Sequence, residues 1–312
     1  MKKVNILVSI YKPNLDYLEK QLRSLDEQDY ENLTINIWND DPDSTLTEAD
    51  VASYFVRHPY TYEKAKKNLG YAKAFEYLTL QADGDFVAYC DQDDIWMKNK
   101  IRCFVTVMER ENAVLATGDR AIIDENDQIV IKSCRKEQRD VSNGWHTGDD
   151  ITPIAVFTTC AIGMNLVIRT ETVKELLPLP EKTAHDQWLT AGASLKGKVV
   201  FLEEVLVHYR RHGKNVSGVL KGIDTKRDYY RERVEYSAWL AEEFLRRFPE
   251  TSKEDRIVIE NFVKARQQKN IRKMYAYRWV APNVIKFEML LPLVPECFFQ
   301  ALLTMVRKRV KS

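Results

Sequence analysis

The chain has 312 residues, 45% of them hydrophobic and 30% charged, and a formal net charge of +1. It is long and apolar enough to bury a core, which excludes wholesale disorder, and its charge balance excludes a general attraction to nucleic acid. Five scattered cysteines, odd in number and without a C-x-x-C pair, argue against a disulfide framework or a structural zinc site and fit a reducing cytoplasm.

Met1-Lys2-Lys3 imitates the start of a signal peptide. The apolar run Val4 to Ile10 is too short for one, and polar Lys12-Pro13-Asn14 follows, so the run is predicted as a first β-strand. No uninterrupted apolar run reaches the roughly 18–20 residues that span a bilayer, which predicts a soluble or peripheral protein. Leu15, Leu18, Leu22 and Leu25 recur at helical spacing behind a capping Asn14. Leu33, Ile35 and Ile37 alternate with polar neighbours and run into Asn39-Asp40-Asp41-Pro42-Asp43-Ser44, a strand ending in a turn. Asn68-Leu69-Gly70 predicts a second turn, Tyr71 to Ala82 a helix, and Asp85 to Cys90 a buried strand that delivers Asp91 to Asp94 at its C-terminal end. Ile101, Phe104, Val105 and Met108 give the next helix stripe.

Such alternation predicts an α/β fold with a mostly parallel sheet and helices on both faces, in which ligands bind beyond the C-terminal strand ends. Both acidic turns fall at such ends. Farther along, Ala121 to Ile131 suggests a hairpin turning at 124–127, Val156 to Arg169 is apolar but interrupted by Gly163, and Val199 to Val207 suggests a strand. Past about residue 222 Gly and Pro become rare while Lys, Arg, Glu and aromatic residues dominate, as in a helical appendage. The expected division is 1–220 and 221–312.

Four constellations carry candidate chemistry. Asp91, Asp93 and Asp94 repel one another and suit a hard cation such as Mg²⁺ or Mn²⁺ that bridges to phosphate; a solvated turn with Asp94 capping the next helix is an equal alternative. Asp40 and Asp41 can accept a hydrogen bond from a nucleobase or ribose, or simply form an Asx turn. Asp186, in His185-Asp186-Gln187-Trp188-Leu189, can act as a general base on an alcohol, or cap a helix whose Trp188 and Leu189 face the core. In His208-Tyr209-Arg210-Arg211-His212-Gly213-Lys214, the cations suit a diphosphate and a histidine suits a metal; the alternative is a solvated basic loop. No G-x-x-x-x-G-K-[ST], G-x-G-x-x-G or G-x-S-x-G appears, which argues against P-loop ATPases, dinucleotide dehydrogenases and α/β-hydrolases.

Taken in order, these pieces resemble the family 2 glycosyltransferases of GT-A fold, a Rossmann-like architecture, over about residues 3 to 218. The resemblance rests on Val8-Ser9-Ile10-Tyr11, on Trp38-Asn39-Asp40-Asp41-Pro42-Asp43-Ser44 with Pro42 where a glycine is common, and on Asn68-Leu69-Gly70-Tyr71-Ala72-Lys73-Ala74. It rests also on Cys90-Asp91-Gln92-Asp93-Asp94-Ile95-Trp96, which is similar to a DxD motif. The D-Q-D-D-x-W, H-D-x-W-L and Y-R-x-H-x-x-N-x-S forms resemble bacterial rhamnosyltransferase-like members, which act on surface polysaccharides or on cell-wall glycoprotein glycans. The resemblance implies a nucleotide-sugar donor held by Ser9, Tyr11, Asp40 or Asp41, Asn68, Gly70, Lys73, Asp91, Gln92, Arg210 and Lys214. It implies Mn²⁺ or Mg²⁺ on Asp91, Asp93 and His212, or less readily His208. Asp186 would be the catalytic base, with His185 and Trp188 on the acceptor side; the family often has Glu where His185 stands.

These roles support inversion at the anomeric carbon. UDP-hexose is the favoured donor and dTDP-rhamnose the runner-up, and the acceptor is a hydroxyl of a surface polysaccharide, lipid-linked glycan or protein-linked glycan. The competing readings are a metal-dependent nucleotidyltransferase, for which Tyr11-Lys12-Pro13-Asn14-Leu15 is a poor match, and an inactive carbohydrate-binding scaffold. At the C-terminus, Glu296 to Val306 is predicted as a short helix with Phe298, Phe299, Leu302, Leu303 and Val306 on a broad apolar side, running into Arg307-Lys308-Arg309-Val310-Lys311. That pattern suits a homo-oligomer interface, a peripheral contact at the inner face of a membrane, or a helix folded back on its own domain.

Overall fold

The computed structural model of the chain describes residues 1–137, 144–213, 220 and 222–311, with side chains up to 306. It divides into two compact units, Met1–Ile151 with Thr159–His212, and Thr152–Thr158 with the residues after His212.

The first unit runs β1 (Val4–Ile10), α1 (Leu15–Asp26), β2 (Leu33–Asn39), α2 (Glu48–Ala52), β3 (Tyr60–Lys64), α3 (Tyr71–Gln81), β4 (Phe86–Cys90), β5 (Ile95–Trp96), α4 (Lys100–Glu111), β6 (Leu115–Ile123) and β7 (Ile129–Ile131). After α5 (Thr152–Phe157), which belongs to the second unit, it resumes with β8 (Leu166–Arg169), α6 (Thr170–Glu175), α7 (His185–Lys196) and β9 (Val199–Arg210). The strands form one sheet in the order β3-β2-β1-β4-β8-β6-β9-β5, with β7 paired to β6.

β1 is parallel to β2 on one side and to β4 on the other. Its residues are flanked on both faces, which is why it reads as a largely apolar run broken only by Asn5 and Ser9. Val4, Ile6, Val8 and Ile10 lie in the main core with Leu18, Leu22 and Leu25 of α1. Asn14 caps that helix by accepting from the Asp16 and Tyr17 amides at 3.0 and 3.3 Å, while Leu15, part of the apparent stripe, points to solvent. The parallel half of the sheet is the part that strand–helix alternation predicts. Beyond β4 the sheet is mixed: β8 is antiparallel to both β4 and β6, β9 is parallel to β6, and β5 is antiparallel to β9. The chain steps from β1 outward to β3 and then returns to β4 on the other flank. This reversal opens a crevice beyond the ends of β1 and β4, where α/β sheets bind ligands.

The second unit is helical: α8 (Lys226–Tyr229), a π-helical turn Tyr230–Glu235, α9 (Tyr236–Arg247), α10 (Lys253–Gln267), α11 (Ile271–Ala276), α12 (Pro282–Leu290) and α13 (Glu296–Lys311). α5 joins it by packing Phe157 against Phe262, ring centroids 4.5 Å apart. The predicted C-terminal helix is α13, and its apolar side is divided. Phe299 and Leu303 are buried with Tyr229 and Leu291 of the same unit, whereas Phe298 is exposed. Among the described residues no helix is long and apolar enough to cross a membrane.

A buried ion pair ties this unit together. Arg266 on α10 meets Glu288 on α12 at 2.7 Å, Tyr229 donates its hydroxyl to the same carboxylate at 3.0 Å, and Arg266 also donates to the Ser237 hydroxyl. Removing one partner leaves the other charge buried alone. Glu288→Ala should therefore lower stability by about 3–5 kcal/mol, read as a shifted urea midpoint with an unchanged slope.

Candidate active site

The site grows from the ends of three parallel strands. β2 ends at Asn39 and hands over Asp40, which is almost wholly buried. One carboxylate oxygen of Asp40 accepts from Trp38 Nε1 at 3.0 Å and the Leu69 amide at 2.9 Å. The other accepts from Asn68 Nδ2 at 3.0 Å and the Gly70 amide at 2.8 Å. Four donors fill the lone pairs of one carboxylate. Asp40 thus shapes the loop before α3, and Asn68 and Gly70 serve that loop. Gly70 has φ +79°, which a glycine adopts without strain. The neighbouring Asp41 is less committed: its Oδ1 accepts from the Asp43 amide at 3.2 Å. Lys73, one turn into α3, is half-exposed and pairs with Glu76 at 2.9 Å.

β1 ends at Ile10 with half-buried Ser9, and exposed Tyr11 follows. β4 delivers the acidic turn beside it. Gln92 binds the Tyr11 backbone in both directions, its Oε1 accepting from the amide at 2.7 Å and its Nε2 donating to the carbonyl at 3.1 Å. This fastens the acidic turn across the switch point. Asp93 faces His212, with Oδ2 and Nε2 2.7 Å apart, and the His212 ring lies against Tyr17 with centroids 5.6 Å apart. His208 lies within β9, opposite Ile95 and Ala121, where burial pulls its pKa down.

Asp94 is buried, takes the Arg210 amide at 2.9 Å on one oxygen and has no hydrogen-bond partner on the other. Burial, then the charges of Asp93 and Asp91, push it well above the usual carboxylate range. Asp91 keeps an opening to solvent, yet desolvation and the charges of Asp93 and Asp186 raise it to about 7. Lys100 at the start of α4 pulls the other way. Its ammonium is buried over the Trp96 ring at 3.4 Å and donates to the Met164 carbonyl, and desolvation lowers its own pKa to about 7.

Arg210, expected beside the donor, is instead wholly buried. Its Nε donates to the Asp93 carbonyl at 2.8 Å, its Nη1 meets Asp127 at 2.5 Å and the Asp124 carbonyl at 3.1 Å, and its guanidinium lies over Tyr17 at 4.3 Å. It holds the acidic turn from behind. Lys214, with Asn215 and Ser217 of the same motif, lies outside the described residues.

α7 supplies the other side. Asp186 is partly exposed, and its carboxylate accepts from the Gly163 amide at 3.1 Å and the Gln187 amide at 2.7 Å. Its charge reaches Asp91, so the two belong to one electrostatic neighbourhood. His185 is buried among Phe75, Tyr89 and Tyr71 at 4.6, 5.0 and 6.2 Å, both ring nitrogens lack partners, and burial lowers its pKa. A Cβ on Gly163 would meet His185 Nε2 at 2.7 Å, so only glycine lets the chain pass here. Trp188 turns inward, 1% exposed, and donates to the Leu176 carbonyl at 3.0 Å, so it does not face a substrate. Lys100 and Gly163 escape sequence reasoning, although Gly163 breaks an otherwise apolar run.

Among the described residues no three His, Cys, Asp or Glu side chains converge. Asp93 and His212 form a pair, and Asp91 stands outside it. Two adjacent ligands of an octahedral Mg²⁺ lie about 3 Å apart, close to the Asp93–His212 separation, and such ions draw their remaining ligands from water and substrate phosphate. The donor set therefore fits a divalent ion held by two side chains.

The saturated Asp40 carboxylate gives a direct test. Asp40→Asn would turn an amide NH₂ toward two N–H donors and orphan them, costing about 2–4 kcal/mol. The urea midpoint should fall accordingly, with proteolytic cleavage appearing near residues 68–70.

The glycosyl transferase family 2 model matches residues 6–167. An uncharacterized glycosyltransferase of Nostoc sp. is 26% identical over 222 residues, 68% of this chain and 66% of its own, so the chain spans slightly less than two thirds of that relative. The Escherichia coli UDP-Glc:alpha-D-GlcNAc-diphosphoundecaprenol beta-1,3-glucosyltransferase WfgD is 27% identical over 187 residues, 59% of this chain and 68% of its own. The crystal structure of S. aureus TarS 1-349 in complex with UDP-GlcNAc shares the fold, with a TM-score of 0.56 at 17% identity over 91% of this chain and 82% of that one.

Proposed function

Since the chain belongs to glycosyl transferase family 2, we propose that it is an inverting, metal-dependent glycosyltransferase that moves a hexose from a UDP-sugar to a glycan hydroxyl. The observation that carries this reading is the convergence of two acids on Asp91: Asp93, which meets His212 at 2.7 Å, and Asp186 both act on it by their charge.

Asp93 and His212 would hold Mn²⁺ or Mg²⁺, which neutralises a diphosphate leaving group when bound. Asp186 has one acceptor position left on each oxygen beyond its two amide contacts, and it takes the proton of the acceptor hydroxyl. The acceptor oxygen forms the new bond to the anomeric carbon from the face opposite the donor diphosphate, whose oxygen leaves with the bonding pair. One base suffices, and no residue need form a covalent intermediate. Asp41, rather than the saturated Asp40, would read the pyrimidine edge, and Ser9 and Tyr11 would line the nucleotide.

The UDP-Glc donor named for the E. coli relative and the UDP-GlcNAc bound to TarS support uracil and a hexose over dTDP-rhamnose. The relative's diphosphoundecaprenol acceptor supports a lipid-linked glycan as acceptor.

Two outcomes are expected. Asp93→Ala and chelation should each abolish Mn²⁺ binding by calorimetry and lower turnover by about 10²-fold or more; unchanged turnover after chelation rejects the metal. Asp186→Asn should bind UDP with unchanged affinity while kcat drops about 10²–10⁴-fold, and a parallel loss of UDP affinity would mean that Asp186 shapes the fold instead.

A further inference from the structure

The last 49 residues differ from the rest of the chain in charge. Residues 264–312 contain 11 Lys and Arg against two acids, Glu288 and Glu296, a net +9. The whole chain is +1, so the first 263 residues carry −8. Glu288 is buried on Arg266, so it offsets nothing at the surface. A charge divided this sharply along one chain points to a partner of opposite sign.

The same stretch is apolar where water should face it. α11 turns Met274 inward, against a cluster with Phe262 and Ile285. Its outward side and the turns that continue it carry Ile271, Tyr275 and Trp279, spaced four apart and 40, 55 and 45% exposed. A surface helix ordinarily keeps this side polar. Exposed Arg272, Lys273 and Arg278 flank the stripe, and the Arg278 guanidinium lies over the Tyr275 ring at 4.1 Å. α13 repeats the pattern. Phe299 and Leu303 face the core, while Phe298 and Met305, seven residues apart and therefore on one side, are 62 and 68% exposed.

We propose that the exposed side chains of α11 and its following turn, together with Phe298 and Met305 of α13, form a docking surface for an anionic lipid bilayer. Tyr and Trp are amphipathic and settle at headgroup depth, aliphatic and Phe side chains gain by entering the acyl boundary, and Lys and Arg are drawn to anionic headgroups. A nucleic-acid backbone would answer the cations but leave Ile271, Phe298 and Met305 in water. An anionic bilayer answers both features. The surface is defined by these side chains alone and does not depend on donor or acceptor.

The test is sedimentation of the full-length protein with vesicles of phosphatidylcholine alone or mixed with phosphatidylglycerol. The protein should pellet with the mixed vesicles only, and less so as salt rises. R272Q/K273Q/R278Q should lower the partition coefficient roughly tenfold or more, Y275S/W279S should lower it even at low salt, and Arg246→Gln, an exposed cation outside the stretch, should not change it. All these positions are exposed, so circular dichroism melts should match the parent. Equal pelleting with both vesicle types, no pelleting, or parent-like binding by both multiple variants would overturn the proposal. A dimer in solution that Y275S/W279S dissolves, without lipid binding, would make the face a subunit contact and overturn it equally.

Discussion

Three carboxylates on four consecutive residues cannot sit at the end of a buried strand unless something behind them answers their charge. Here Arg210 does so. It donates its amide to Asp94 and its Nε to the Asp93 carbonyl, reaches Asp127 across the β6–β7 turn, and lies over Tyr17. A guanidinium suits this place because it is weakly hydrated and planar, so one buried group can satisfy several acceptors while stacking on a ring. The adjoining chain then brings His212 to Asp93. Lys100, buried over Trp96, favours the ionised forms of Asp91 and Asp94 by its charge. The acidic turn is thus held by cations inside the protein, and its open side faces the crevice.

A second consequence is a division of labour among acids that look alike in sequence. Asp40, Asp94 and Asp26 are buried and serve the backbone; Asp26 alone takes the amides of Val56, Arg57 and His58. Asp41, Asp91, Asp93 and Asp186 keep acceptor capacity or exposure. The distinction is one of burial and, for Asp40 and Asp26, of lone pairs already used, and no spacing rule reports it. The same holds at His185. A charged neighbour of Asp186 would alter the site's field, whereas a histidine enclosed by Phe75, Tyr89 and Tyr71 stays neutral and acts by its shape.

What was legible follows from these facts. β1 and β4 could be read because they are buried on both faces and run largely apolar, and α1, β2 and α4 because each buries one face, which leaves a period of 3.6 or of two. β3 could not, since Tyr60–Lys64 is an edge strand with a half-exposed pattern and no apolar alternation. The direction of β8 was hidden because a short apolar strand looks the same whichever way it runs. Among the candidate residues, the contact of Asp93 with His212 and the reach of Asp186's charge to Asp91 join segments that the ordered motifs single out. The commitment of Arg210 to the interior and the inward turn of Trp188 depend on tertiary contacts that a basic loop and an amphipathic segment do not reveal.

The least legible feature is covalent. The chain leaves the first unit at residue 152, forms α5 within the second, and returns at 159, only four residues before Gly163, whose amide holds Asp186. It leaves again directly after His212. Two of the crossings therefore adjoin residues of the candidate site, Gly163 against Asp186 and His212 against Asp93. Ala155 and Val156 are buried, and Phe157 lies on Phe262, so a chain cut after residue 212 would strand α5 with its apolar side in water. The two units are separate in packing but not separable by a single cut, and their roles are better resolved by point substitutions within each than by truncation.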